Sequence, residues 1–367
     1  MVRFVLYIKG LKKKKRKFCG MEFYPLLFEP NLKTVVWGGE QLRRYKGLAA
    51  SDEPIGESWE VSAVPSAVSV IANGAWKGSD LVSVIDAFPE EILGKAVNEK
   101  YQGQLPLLVK FIDAKKDLSI QVHPNDEMAL REHGKMGKSE MWYIIKAEPG
   151  AHLYAGFKQE ITPSEYQKRI EDGSITEVLA DHTVKAGDVF YLPAGRVHAI
   201  CGGIMLAEVQ QSSDVTYRIF DYNRPGLDGK PRELHTALAS QALDYHVEAN
   251  YRTEYVDSEN RAVQIIDTPY FGVRVMEIVE RSFHRDLRKY DSFVISMCIE
   301  GDCEIRVRST GDVVLLKQGW SMLVPAAIAD YDVVPLTSRS RLLDAFIDNR
   351  SDSLGKRVNK FLHERWR

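Results

Sequence analysis

The 367-residue chain is poor in several features that would place it in a familiar class. It has four cysteines, Cys19, Cys201, Cys298 and Cys303, and none has CxxC or other metal-ligand spacing. That argues against a thiolate zinc site or a disulfide framework and for free thiols in a reducing compartment, read here as the cytoplasm. No apolar run approaches the ~18–20 residues a membrane helix needs, so no membrane partner is expected. Nor does either sign of charge dominate. With 49 basic and 51 acidic residues the net charge is −2, which gives no global field for nucleic acid or an anionic bilayer. Any recognition of an anion must be local.

What is present reads as a soluble globular protein, 44% apolar and 27% charged, long enough for two buried cores. Its first twenty residues stand apart. A short apolar stretch, Phe4 to Ile8, precedes the basic run Lys12 to Lys17, whereas a secretory signal places its charges first. Met21 opens the globular sequence, so residues 1–20 are read as a disordered basic extension.

Short strands with turn punctuation follow up to about residue 73, among them Ile55-Gly56-Glu57-Ser58-Trp59-Glu60-Val61. Ser79-Asp80 caps a helix whose apolar positions Leu81, Val82, Val84, Ile85 and Phe88 fit a 3.6-residue period. From Leu105 the pattern is mainly β, with strands at 107–112, 118–123, 141–145, 183–184, 188–192 and 205–210. Thr162-Pro163-Ser164-Glu165 starts one helix, and Leu234 to Tyr245 forms another. These signals predict a mainly β chain with a small helical insertion: a catalytic domain over 21–250, a degenerate second domain over 251–350, and a tail over 351–367.

The second domain is an echo of the first. Gly187-Asp188-Val189-Phe190-Tyr191-Leu192-Pro193 recurs as Gly319-Trp320-Ser321-Met322-Leu323-Val324-Pro325, with the same Gly-to-Pro spacing. A weaker echo sets Trp142-Tyr-Ile-Ile against Phe293-Val-Ile-Ser. Five residues past the proline stands His198 in the first copy and Asp330 in the second, so the second barrel is expected to have lost its metal and to serve as packing.

The chemistry gathers in the first copy. Alternate strand residues share a face, so Ser119, Gln121 and His123 project together, as do Lys138, Glu140 and Trp142. With His198, one divalent transition metal is within reach of Gln121, His123, Glu140 and His198. Each histidine alone would be a commonplace core or surface residue. Their shared β context favours the metal. His133, His152 and His182 fall in loops or less regular places and are read as structural.

Ser119-Ile-Gln-Val-His-Pro124, Lys138-Ser-Glu-Met-Trp142, Pro193-Ala-Gly-Arg-Val-His198 and Glu208-Val-Gln-Gln-Ser-Ser-Asp-Val-Thr-Tyr-Arg218 together resemble type I mannose-6-phosphate isomerases, the short bacterial form in particular, from about Glu22 to Asp348. The resemblance implies tandem cupin (jelly-roll) barrels and one Zn2+ per chain held by Gln121, His123, Glu140 and His198. It also implies further active-site positions at Lys110, Ser119, Lys138, Glu208 and Arg218. Ser139 departs from the longer relatives, where proline is common.

Such an enzyme interconverts mannose 6-phosphate and fructose 6-phosphate through a cis-enediol. That needs an acid/base group near C1 and C2 and positive charge for the developing oxyanion. Glu208, facing a dry barrel, is a candidate base with a raised pKa, or equally an ion-pair partner for Lys138 or Arg218. Lys138 faces the same pocket as the ligands and suits proton transfer, and Arg218 is assigned a catalytic grip on anions. Lys110, the lone charge in Leu105 to Ile112, is expected to face the phosphate, and Ser119 can donate to it. Two rival readings stand beside this one. His123, Glu140 and His198 match an iron oxygenase triad, although Gln121 and the nearby cations speak against it. A non-catalytic sugar-binding cupin would be expected to have lost a ligand, Lys138 or Arg218.

Overall fold

A computed structural model describes residues 22–279 and 281–348. The expectations for residues 1–20, for Cys19 and for the tail lie outside these. The described chain is mainly β and falls into two compact units. One comprises residues 30–60 and 107–254, the other 22–29, 61–106 and 255–348. The break at 254/255 lies close to the expected one near residue 250, but residues 22–29 and 61–106 go with the second unit rather than the first. The helical stretch 61–106 goes with the second barrel, to which backbone hydrogen bonds tie it: Phe293 N–H to Leu93 O at 3.2 Å and Ala326 N–H to Ile92 O at 3.0 Å. A linear reading of helix signals could not foresee that partner.

The unit that carries the candidate site has eleven strands: β1 (Leu32–Gly39), β2 (Ile55–Val61), β3 (Leu107–Ala114), β4 (Ile120–Val122), β5 (Glu140–Ala147), β6 (His152–Phe157), β7 (Leu179–Thr183), β8 (Val189–Leu192), β9 (His198–Ile200), β10 (Ile204–Gln211) and β11 (Tyr217–Phe220). They form a six-stranded sheet in the order β1-β2-β3-β10-β5-β8 and a five-stranded sheet in the order β11-β4-β9-β6-β7. Side chains from both sheets, including Ile112, Trp142, Ile144, Leu153, Ala155, Phe190, Ile200 and Leu206, fill the space between them. On its other face the five-stranded sheet buries Ile120, Val122, Val197, Ala199 and Tyr217 against helices Pro163–Glu171 and Thr236–Ala242. Strands β4 and β9 thus have one face inside the barrel and one under helices, which turns Gln121 and His198 inward.

Every residue of β3 and β10 is buried. Any charge on those strands needs a partner buried with it, because an unpaired buried charge is costly. The helix starts follow the capping signals. Asp80 accepts the Ser83 N–H at 2.8 Å, and Thr162 Oγ1 accepts that of Glu165 at 3.1 Å. The last helix of this unit is shorter than the expected 234–245, covering Thr236–Ala242.

The second barrel repeats the arrangement. Its six-stranded sheet runs Leu26–Leu27, Ser321–Val324, Val294–Glu300, Arg339–Phe346, Gly272–Val279, Ala262–Asp267, and a four-stranded sheet joins Phe283–Asp286, Asp330–Pro335, Cys303–Val307 and Val313–Leu316.

Candidate active site

Three strands deliver the candidate metal ligands. Gln121 lies on β4 opposite His198 on β9, His123 follows β4 by one residue, and Glu140 opens β5. The donor atoms of His123, Glu140 and His198 all lie within 4.8 Å of one another, and all three residues are buried. His123 Nε2 is 3.4 Å from one Glu140 oxygen, and His198 Nε2 is 3.2 Å from the other. Gln121 Nε2 stands 3.3 Å from His198 Nε2. A half-turn of that amide exchanges its near-identical nitrogen and oxygen, which presents the oxygen to the same centre.

Both imidazoles are held from behind. His123 Nδ1 lies 2.9 Å from Val215 O, and His198 Nδ1 lies 2.8 Å from Arg196 O. With each Nδ1–H donated to a carbonyl, the Nε2 lone pairs face Glu140, the tautomer a metal requires. Burial, and after it the Lys138 ammonium, pushes the His123 imidazole down to about 3; burial also lowers that of His198. Glu140 is held well below the ordinary carboxylate range. Burial opposes this, and Lys138 and the two histidines overcome it. Two neutral imidazoles and an ionised carboxylate are a donor set for a borderline-soft dication. The fit goes further. Neither buried oxygen of Glu140 receives a well-aligned hydrogen bond, although Lys138 Nζ is 2.8 Å from one of them. A fully buried carboxylate met by a single ammonium on one oxygen, and by no aligned donor on the other, has lone pairs that a bound cation would satisfy.

A second cluster adjoins the first through Trp142, whose ring stands edge-on to that of His198, 5.3 Å between centroids. Its indole N–H donates to Glu208 at 2.9 Å, and Lys110 Nζ lies 3.0 Å from the other Glu208 oxygen. Glu208 is therefore not the solitary carboxylate in a dry barrel that its strand pattern suggested. Lys110, expected to face phosphate, is engaged instead by Glu208 and, at 3.7 Å, by Glu57. Burial works to lower its pKa, but Glu208 and then Glu57 outweigh it, so the ammonium is held above its ordinary value.

Lys138 Nζ is 2.9 Å from His123 Nε2, inside the ligand cluster. Ser119 is buried just before β4, in phase with Gln121. Arg218 lies opposite Gln121 on β11, with Nη1 donating to Glu233 O at 2.8 Å and a buried Nε that has no partner. Burial, then the neighbouring Arg232, lowers the Arg218 pKa. Its neighbours Arg224 and Arg232 both claim Asp221, which leaves Arg218 without a carboxylate of its own among these contacts.

Glu57 and Trp59 are the site residues that the sequence reading passed over. Trp59 Nε1 donates to Glu57 at 2.6 Å, and Lys110 Nζ sits 5.0 Å from the centre of the Trp59 ring. The signal was in β2, where residues 57 and 59 share a face at the two-residue strand period. The three histidines set aside as structural occupy regular elements rather than loops. His133 ends a helix and lies 2.9 Å from the Tyr217 hydroxyl, and His152 and His182 lie on β6 and β7.

Against known proteins, residues 26–180 match the family model for the catalytic domain of type I phosphomannose isomerase. The chain is 35% identical over 310 residues to the mannose-6-phosphate isomerase ManA of Bacillus subtilis, covering 84% of this chain and 95% of that one. It is 36% identical over 255 residues to the mannose-6-phosphate isomerase of Streptococcus mutans, covering 69% and 79%. Its structure is similar to the crystal structure of the mannose 6-phosphate isomerase from Bacillus subtilis, with a TM-score of 0.76 at 31% identity over 88% of this chain and 99% of that one. A phosphomannose isomerase from Salmonella typhimurium, at 17% identity and a TM-score of 0.71, shares the fold.

Proposed function

Because the chain belongs to the type I mannose-6-phosphate isomerase family, we propose that it is a zinc enzyme that interconverts mannose 6-phosphate and fructose 6-phosphate through a cis-enediol. The observation that carries this reading is the buried His123–Glu140–His198 cluster beside the Lys110–Glu208–Trp142 cluster inside one barrel. Gln121, His123, Glu140 and His198 would hold the ion. Bound there, zinc supplies fixed positive charge that orients and polarises sugar oxygens.

The remaining work falls to the chain. Glu208 has one oxygen fixed by the Trp142 indole and the other by Lys110. We assign it the transfer of the proton between C1 and C2. Lys110, occupied by carboxylates, orients Glu208 rather than gripping phosphate directly. Lys138 and Arg218 supply charge to the oxygens on which the enediol's negative charge develops. Arg218 has donors left for an anion, and Ser119 is assigned to a phosphate or sugar oxygen. The substrate is a small sugar phosphate. Three free thiols among the described residues fit the cytoplasm, and no described helix is long and apolar enough to cross a membrane.

A coupled assay with mannose 6-phosphate, run on the purified chain, after chelation and after zinc is returned, tests the reading. Activity should vanish and come back. Iron-dependent oxygen uptake with no isomerase activity would replace it with the oxygenase reading, and sugar binding without turnover would replace it with a binding cupin.

A further inference from the structure

Gln211, the last residue of β10, touches neither the metal donors nor the reacting centre and belongs to no role assigned above, yet the start of the helix Asp126–His133 and the segment that leads into β5 meet at it. Its backbone N–H donates to Ser139 O at 3.1 Å, and its side-chain oxygen accepts the Ser139 N–H at 2.9 Å. Its side-chain NH2 donates to Asp126 Oδ1 at 3.0 Å, which also accepts the Gly137 N–H at 2.8 Å. The amide's orientation follows from these partners, since the peptide N–H needs the oxygen and the carboxylate needs the NH2. Gln211 is 6% exposed, so water does not compete freely for these bonds.

Resting on the zinc reading above, we propose that Gln211 is a positioning residue of the metal centre, bracing the loops that bring His123, Lys138 and Glu140 together. Ser139, held on both backbone groups, is the peptide between Lys138 and Glu140, and Asp126 lies three residues beyond His123. The brace reaches His198 as well. Ser139 Oγ accepts the Ala194 N–H at 3.1 Å in the turn that leads to β9, and the Gly195 N–H donates to His123 O at 2.9 Å. Ligand geometry tolerates little slack, and groups that orient ligands typically change metal affinity about 10–100-fold when removed.

The test replaces Gln211→Met, which keeps the length and loses both side-chain bonds. Zinc affinity is measured by competition with a chelator on protein shown by circular dichroism to be folded. The comparison is a chain destabilised to the same Tm by a cavity in the other barrel, Val333→Ala. The brace predicts zinc binding weakened by about 10–100-fold in Gln211→Met and unchanged in Val333→Ala. Affinity within twofold of the unmodified chain, with only Tm lowered, would overturn it and make Gln211 a fold residue. If Gln211→Met does not fold, Gln211→Glu serves in its place. It keeps the acceptor for Ser139, turns the Asp126 contact repulsive, and is expected to weaken zinc binding in the same direction. An unmodified chain that binds no zinc would fail the underlying zinc reading and this inference with it, and is distinguished by failing before any substitution.

Discussion

The two barrels share a sheet pattern and differ at nearly every position that matters for chemistry. On β5, Glu140 pairs with Leu192 and Gln210; in the second barrel Val294 pairs with Val324 and Phe346. The bulge that separates Ile144 from Lys146 recurs between Cys298 and Glu300, so Glu140 corresponds to Val294 and Trp142 to Ser296. The sequence echo that set Trp142 against Phe293 is thus out by three residues. His198, opposite Gln121 and Ala155, corresponds to Tyr331, opposite Arg285 and Val307. Asp330, chosen by spacing, is one residue short of the inward-facing position. Glu208 and Lys110 become Asp344 and Arg274.

Valine replaces a carboxylate, and tyrosine and arginine replace an imidazole and an amide. Yet the second barrel keeps a buried acid at the position of Glu208. Asp344, fully buried, receives Arg285 Nη2 at 2.6 Å and Ser296 Oγ at 2.5 Å. In that barrel a guanidinium from the opposite sheet supplies the positive charge, covalently and permanently. In the first barrel the donors face one another. The fold tolerates a buried acid paired with a basic side chain in either place, Lys110 with Glu208 and Arg285 with Asp344, and what differs is that the first barrel adds the His123–Glu140–His198 cluster.

The largest effect should separate the barrels at corresponding positions. His198→Ala is expected to release the metal and abolish turnover. Tyr331→Phe, at the matching place, should leave zinc content and kcat unchanged. Metal analysis and the coupled assay decide, and stoichiometric zinc retained in His198→Ala would remove His198 from the ligand set. Next in size, Arg218→Ala should lower kcat by about 10²–10³ with zinc still bound, the usual cost of losing one donor to a developing oxyanion. An unchanged kcat would reduce Arg218 to scaffolding.

The inward set at Gln121, His123, Glu140 and His198 was legible because strand parity is a local rule and each residue lies on or beside a strand. The pairing of Lys110 with Glu208 was not. It depends on β3 and β10 being neighbours although nearly a hundred residues apart, and no periodicity in either strand announces that. The same limit hid Gln211, whose partners Ser139 and Asp126 arrive from a loop and from the start of a helix. The strand at 152–157 was passed over and that at 179–183 was met only at its end, near Thr183, because His152, Tyr154 and Asp181 interrupt their apolar runs, although Leu153 and Ala155 alternate with half-buried neighbours. The membership of residues 61–106 was hidden for another reason. Residues 61–106 pack with sequence that begins some 150 positions later, a connection that composition does not encode.

The smallest effect tests whether the second barrel's charges have any work beyond structure. Arg285→Leu alone leaves Asp344 buried and uncompensated, which should destabilise that barrel by about 3–5 kcal/mol. Adding Asp344→Leu removes the stranded charge. Well-packed apolar replacements of a buried pair are often neutral, and the one group left without its acceptor is the Ser296 hydroxyl, worth roughly 1–3 kcal/mol. The double variant should therefore lie within about 3 kcal/mol of the unmodified chain by denaturant unfolding and above Arg285→Leu alone, with zinc content and kcat intact. In the first barrel the matching pair of changes, Lys110→Met with Glu208→Leu, should also fold, yet turnover should be lost. If the second-barrel double variant proved as unstable as Arg285→Leu alone, the ion pair would be more than a charge neutralised in place. If instead it lost activity while staying folded, the view that catalysis belongs to one barrel would fail.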